Sequence, residues 1–377
     1  MGERVVVAPD KFKGSLTAAE VTAAVAAGLV RGGFIGEIEA LPVADGGDGT
    51  VAAAVAAGFR RVELGVRGPV GKNVTASYAL HDGTAVIEAA QACGLSLLPA
   101  GALAPLTATS RGVGDLILTA SRMGAKRIVL GVGGVATTDG GAGLLQALGA
   151  RLTDDKGREL PPGGAALARL ANLDVAALRD LSGVEFLLAS DVDNPLLGPS
   201  GAAAVYGPQK GASPAEVRLL EVGLRRWADL TEAALAGPVP VRDAPGAGAA
   251  GGIGFTAMLF LGARMRPGIE LLLELASFGS RLDGARLVIT GEGSLDAQTL
   301  RGKAPVGVAR AAGAHDPAVP VVAVAGRCTL TQGELSAAGI TRAYALSDLE
   351  PDLELSMANG GPLLERLAER IVADWLV

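Results

Sequence analysis

Five acidic residues stand just past short apolar runs in this 377-residue chain. Asp10 follows Val5-Val6-Val7-Ala8, Asp45 follows Ala40-Leu41-Pro42-Val43, and Asp191 follows Phe186 to Ala189. Glu292 follows Leu287 to Thr290, and Asp348 follows Ala343-Tyr344-Ala345-Leu346. If those runs are parallel strands, the acids line the carboxyl edge of a sheet, where open α/β sheets bind ligands. Carboxylates there can hold a hard cation or accept a proton, whereas an isolated one more simply caps the next helix. Cations and glycines accompany them in Asp10-Lys11-Phe12-Lys13-Gly14-Ser15, in Gly291-Glu292-Gly293-Ser294-Leu295-Asp296 and in Arg301-Gly302-Lys303. That mixture suits phosphoryl transfer, which needs cations to spread phosphate charge and a carboxylate to take an alcohol proton. The two histidines, His81 and His315, are flanked by turn-like residues, which counts against a Ser-His-Asp hydrolase.

Two glycine patterns are less specific. Gly131-Val132-Gly133-Gly134-Val135-Ala136 follows a strand-like run and fits G-x-G-x-x-A, while Gly246 to Gly251 fits G-x-G-x-x-G after a proline-containing loop. Neither opens a clear helix in register, and the chain has no G-x-x-x-x-G-K-[ST]. Ala136-Thr137-Thr138-Asp139-Gly140-Gly141-Ala142-Gly143 leads into an apolar helical stretch, as an anion site at a helix start would. A nicotinamide-dependent hydroxy-acid oxidoreductase is the rival reading of the Gly131 pattern. It lacks an acid at the end of a following strand, since Asp154 and Asp155 lie in a turn-like segment. A non-catalytic ligand-binding regulator is a third reading, opposed by the intact acids and lysines.

Positioning these groups requires βα units. Val5–Ala8, Ala40–Val43, Leu287–Thr290 and Val321–Val324 read as strands buried on both faces, because none alternates with polar residues. Helices are expected over 18–29 and 304–312, the first opened by a Thr17/Glu20 capping box. The middle begins as a β-meander from Arg61 to Ala89, then returns to βα pieces at Arg127–Leu130 and Glu185–Leu188. The expected architecture is α/β: a Rossmann-like parallel-sheet domain formed by both termini (1–60 and 285–377), and an inserted mixed α/β domain (61–284). The uncharged stretch from Pro245 to Ala263 reads as a loop feeding a buried helix rather than a membrane span, because its Gly-Ala half is a poor helix former. Gly237 to Pro245 reads as a loop. A net charge of −6 and only 3% aromatic residues disfavour nucleic-acid binding. Cys93 and Cys328 form no zinc or disulfide pattern, and no signal peptide opens the chain, so a cytoplasmic enzyme is expected.

Taken in order, these segments resemble the type-1 (bacterial) glycerate kinase family. The resemblance is carried by Ala8 to Leu16, Pro42 to Thr50, Gly140 to Gly143, Asp193 to Leu196, Tyr206 to Ala212, Arg266 to Gly268, Thr290 to Asp296 and Gly302 to Pro305. Asp48 stands where a glutamate is usual, Val135 for a serine, Thr138 for an asparagine, Asp193 for a threonine and Ser294 for an arginine. The resemblance implies two α/β domains with the active site in the cleft between them. It also implies transfer of the γ-phosphoryl of ATP, with Mg²⁺, to D-glycerate, typically at the 2-hydroxyl; the 3-hydroxyl is the alternative. On this reading Asp10, Lys11, Lys13, Ser15 and Asp45 bind glycerate, and Asp191, Asp296 and Lys303 carry catalysis. Gly133, Gly134, Thr138, Asp139, Gly140, Gly141, Lys210, Gly291, Glu292 and Gly293 are expected along the nucleotide, with Asp191 and Glu292 holding the metal.

Overall fold

The computed structural model describes residues 3–235 and 240–377, so the loop expected over 237–245 lies partly outside the described residues. The chain divides into a terminal unit (Met1–Asp45, Ala52–Gly58, Pro267–Val377) and an insertion unit (Gly46–Val51, Phe59–Arg266). The stretch from Pro267 to Gly284, expected in the insertion, belongs to the terminal unit. Its apolar residues Ile269, Leu273, Phe278 and Leu282 pack with Val6, Ala8 and Val288 in one core.

The terminal unit is built on five parallel strands in the order Glu37–Ala40, Arg4–Pro9, Ala285–Leu295, Val321–Cys328, Arg342–Ala345. Val5 and Val7 face a core shared with the helices Ala18–Arg31 and Gly360–Trp375, while Val6 and Ala8 face Gly268–Leu275 and Ala304–His315. Both faces are covered, which is why the strand sequence shows no alternation. Helix Ala18–Arg31 starts with the capping box read from Thr17 and Glu20. It approaches its partner helix closely, since a Cβ on Gly28 would stand 2.2 Å from the Glu365 carbonyl oxygen. The second strand runs over Glu37–Ala40 rather than Ala40–Val43. As an edge strand it tolerates Glu37 and Glu39, and the Leu41 and Val43 amides still donate to Val7 and Pro9. Chain direction across the sheet reverses between Arg4–Pro9 and Ala285–Leu295. That is the 2-1-3-4-5 order of flavodoxin-like sheets, with its switch point between those two strands.

The insertion unit carries a six-stranded mixed sheet in the order Arg264–Arg266, Glu185–Ala189, Arg127–Gly131, Thr84–Glu88, Asn73–His81, Arg60–Arg67. The last three form the expected antiparallel meander, and the first four run parallel. The apolar stretch after Pro245 becomes the helix Ala249–Leu261, broken near its start by left-handed backbone at Ala250, Gly251 and Gly252 and buried from Gly251 to Ala257. Among the described residues no helix is long and apolar enough to cross a membrane. Its glycine run has a steric reason: a Cβ on Gly251 would stand 2.0 Å from the Thr137 carbonyl oxygen, and one on Gly252 2.7 Å from the Gly140 Cα.

Candidate functional site

In the terminal unit the switch point gathers most of the expected chemistry. The Asp10 amide donates to the Gly291 carbonyl at 2.8 Å, which ties the ends of the two central strands together. Gly293 passes beside the next loop, where an added Cβ would lie 3.3 Å from the Lys13 amide nitrogen. Asp10 is 6% exposed. Burial pushes its carboxyl up to about 7; the Lys11 ammonium, 3.7 Å away, pulls it back, and the Asp45 and Glu292 charges push it further. Asp10, Asp45 and Glu292 therefore share one electrostatic field, although they come from three separate loops.

Glu292 is buried and fully engaged. One carboxylate oxygen accepts from the Thr299 hydroxyl and the other lies 3.3 Å from the Lys303 Nζ. Burial raises its pKa against those two partners. Lys303 sits at the start of the helix Ala304–His315, so a helix amino terminus reinforces its charge. Asp296 is held ionised, chiefly by the Gln298 amide at 2.8 Å. Ser294, where the resemblance leads one to expect arginine, instead accepts from the Arg327 Nε at 3.0 Å. Lys13 is exposed. The Ser15 hydroxyl donates to the Met357 carbonyl at 2.7 Å, so its proton already anchors the loop.

In the insertion unit the expected nucleotide residues separate into two groups. Gly133 and Gly134 lie at the carboxyl edge of the sheet, against the Gly46–Gly49 loop. A Cβ on Gly133 would stand 2.5 Å from the Gly47 Cα, and one on Gly134 2.2 Å from the Asp48 Oδ1. The Gly131 pattern thus serves approach between two protein backbones. Thr138, Asp139, Gly140 and Gly141 are buried. Asp139 accepts from the Ser110 amide (2.8 Å) and hydroxyl (2.9 Å) and from the Gly141 and Gly143 amides (3.2 Å each). The Gly140 carbonyl accepts from the Trp227 Nε1 at 2.9 Å and from the Thr256 hydroxyl. Lys210 is also interior: its Nζ donates to the Thr137 carbonyl at 2.6 Å, and burial draws its pKa down to about 8. These side chains hold the Thr137–Gly143 segment together. Asp139 and Lys210 direct their hydrogen bonds inside the unit, while the buried Thr137 and Thr138 hydroxyls have no hydrogen-bond partner among the described residues. Asp191 is exposed just past the strand Glu185–Ala189.

Two residues were missed from the sequence. Thr299 carries a buried hydroxyl onto Glu292, and nothing in its local pattern marks it. Glu88 ends the strand Thr84–Glu88, is 3% exposed, and accepts from the Gly49 and Val51 amides at 3.2 Å each. The signal for Glu88 was present, since it too is an acid closing an apolar run.

A hard divalent cation would find suitable donors among these acids, all of them carboxylate oxygens. The upward push that Asp45 and Glu292 exert on Asp10 is a negative field such a cation relieves. No three potential ligands among the described residues already stand in metal-binding proximity.

A five-stranded parallel sheet with lysines and mutually repelling carboxylates at its switch point defines a doubly wound α/β protein, a class whose ligand crevice lies at that edge. The chain belongs to the glycerate kinase family, whose model matches residues 5–376. It is 44% identical over 376 residues to a glycerate kinase of Bacillus subtilis, covering 98% of this chain and 97% of that one. It is also 44% identical over 348 residues to the glycerate 2-kinase of Escherichia coli, covering 91% and 90%. A crystal structure of a candidate glycerate kinase 2 from Salmonella typhimurium LT2 superposes with a TM-score of 0.83 at 40% identity, covering 99% of each chain. Membership displaces the oxidoreductase reading of the Gly131 pattern.

Proposed function

We propose that this enzyme transfers the γ-phosphoryl group of ATP to the 2-hydroxyl of D-glycerate, giving 2-phosphoglycerate and ADP. The observation that carries the reading is the switch point of the terminal unit, where Lys11 stands by the buried Asp10 carboxyl, pushed up to about 7, and Lys303 pairs with Glu292, whose charge acts on Asp10. Support for the 2-position comes from the relative named as a glycerate 2-kinase. Free Cys93 and Cys328 are compatible with a cytoplasmic setting.

In this mechanism Lys11 and Lys13 pair with the glycerate carboxylate, and Asp45 accepts a hydrogen bond from one of its hydroxyls. Asp10 takes the hydroxyl proton as the new O–P bond forms, because a general base works best with a pKa near the operating pH. The bond from Pγ to the bridging oxygen breaks, and ADP leaves with that electron pair. Lys303, held by Glu292, spreads the charge of the transferring group. Mg²⁺, when bound, would neutralise triphosphate charge; Glu292 and Asp296 are the acids proposed to hold it. Asp139 and Lys210 act from the interior by fixing the segment between Thr137 and Gly143. Measuring ADP release with and without D-glycerate tests the reading. Release that does not depend on glycerate would overturn it.

A further inference from the structure

Glu88 belongs to no role assigned above. Its strand lies beside Arg127–Gly131, which in turn pairs with Glu185–Ala189; Glu88 is in register with Gly131, and Gly131 with Ala189. Those three residues mark the carboxyl edge of the parallel strands, and the segment after Asp45 crosses all three. At Ala189 the crossing is made by Gly46, whose φ is +93° and whose absent Cβ would stand 2.7 Å from the Ala189 carbonyl oxygen. At Gly131 a Cβ would stand 2.6 Å from the Gly46 carbonyl oxygen. At the third strand, Glu88 reaches the segment with a carboxylate, accepting from Gly49 and Val51 through one oxygen.

The glycines permit this approach but give no side-chain hold. Glu88 supplies a charge-assisted one, to amides at the start of the helix Thr50–Ala56. The Thr50 hydroxyl closes the same turn on the Gly47 carbonyl at 2.6 Å. Asp48 lies close enough to push the Glu88 carboxyl upward electrostatically, so moving Glu88 would also move the field around Asp48.

We propose that Glu88 is a positioning residue for glycerate binding, fixing the Gly46–Val51 segment and through it the neighbouring Asp45. The proposal rests on the reading that Asp45 meets glycerate. It makes Glu88 a determinant of substrate affinity that does not itself touch substrate.

The test compares Glu88→Asp, Glu88→Gln and Glu88→Ala in the full chain. Aspartate is one methylene too short to reach both amides, whereas glutamine keeps an acceptor oxygen in place. Glu88→Asp is expected to raise the KM for D-glycerate about tenfold, as loss of a charge-assisted bond would, with kcat and the KM for ATP within about threefold of wild type. Glu88→Gln should restore the KM to within about threefold. Hydrogen exchange at the Gly49 and Val51 amides should accelerate in Glu88→Asp and Glu88→Ala, and recover in Glu88→Gln. Faster exchange with an unchanged KM for glycerate would overturn the positioning role, and unchanged exchange would overturn the anchor itself. Wild-type enzyme lacking glycerate-dependent ADP release would instead sink the functional reading, leaving the exchange comparison to judge the anchor alone.

Discussion

Replacing Asp10 by asparagine removes a charge that the fold holds out of water. The native carboxyl titrates near 7 against an ordinary 3.8, because the side chain is almost wholly buried and faces Asp45 and Glu292. The native state therefore keeps a proton that the unfolded chain releases, so stability falls as pH rises from about 4 to about 7 and is level above that. The gap corresponds to on the order of 4 kcal/mol. Asparagine has no such charge to bury. Asp10→Asn should match wild type near pH 4 and exceed it by a margin that grows to pH 7 and then stays constant. Urea unfolding across that range measures the margin. Fluorescence of Trp375 reports the terminal unit, in a Trp227→Phe background that silences the insertion unit; Trp375 donates to the Tyr344 hydroxyl at 2.8 Å and should respond to loss of that packing. The same substitution should lower turnover at least a hundredfold, since the proton acceptor is gone. A margin that does not vary with pH, or wild type being the more stable protein at pH 8, would refute the reasoning.

Other perturbations follow from equally local geometry. Lys303→Ala should reduce kcat about a hundredfold or more with a smaller change in the KM for glycerate, and Lys303→Arg should recover part of it, as steady-state kinetics would show. Gly28→Ala improves helix propensity by about 1 kcal/mol but puts a methyl 2.2 Å from the Glu365 carbonyl, so steric cost should win and lower the melting temperature. Lys210 titrates near 8 rather than 10.5, so the unfolded chain holds more protons between those values and wild-type stability should rise there with pH. Lys210→Met should lack that rise in denaturant titrations. Asp296→Asn should weaken the dependence of turnover on Mg²⁺ concentration, and near-normal behaviour would remove Asp296 from the metal set.

What the sequence revealed and what it concealed divide along physical lines. Val5-Val6-Val7 and Leu287-Val288-Ile289 announce strands covered on both faces, because burial from both sides erases alternation. Thr17 and Glu20 announce a helix start, because capping is a contact between neighbours in sequence. The switch-point acids were legible for the same reason, since each closes its own strand. The second strand was shifted because an edge tolerates Glu37 and Glu39, which an apolar search passes over. The interior role of Asp139 and Lys210 was not legible. Ser110 donates to Asp139, Lys210 to the Thr137 carbonyl, and Trp227 and Thr256 to the Gly140 carbonyl, all from far off in sequence, and a capped helix start looks alike whether it faces a phosphate or the protein interior. Thr299 was hidden for another reason, since it meets Glu292 only through the turn that follows the strand. The glycines at 131 and 133 looked like a nucleotide fingerprint because close approach to a backbone and to a pyrophosphate demand the same missing Cβ.

Phosphorus NMR of the reaction of ATP with D-glycerate tests the central assignment most directly. A product resonance coupled to the single proton on C2 is predicted, appearing together with ADP. Coupling to the two protons on C3, or ADP with no phosphorylated glycerate, would contradict the account.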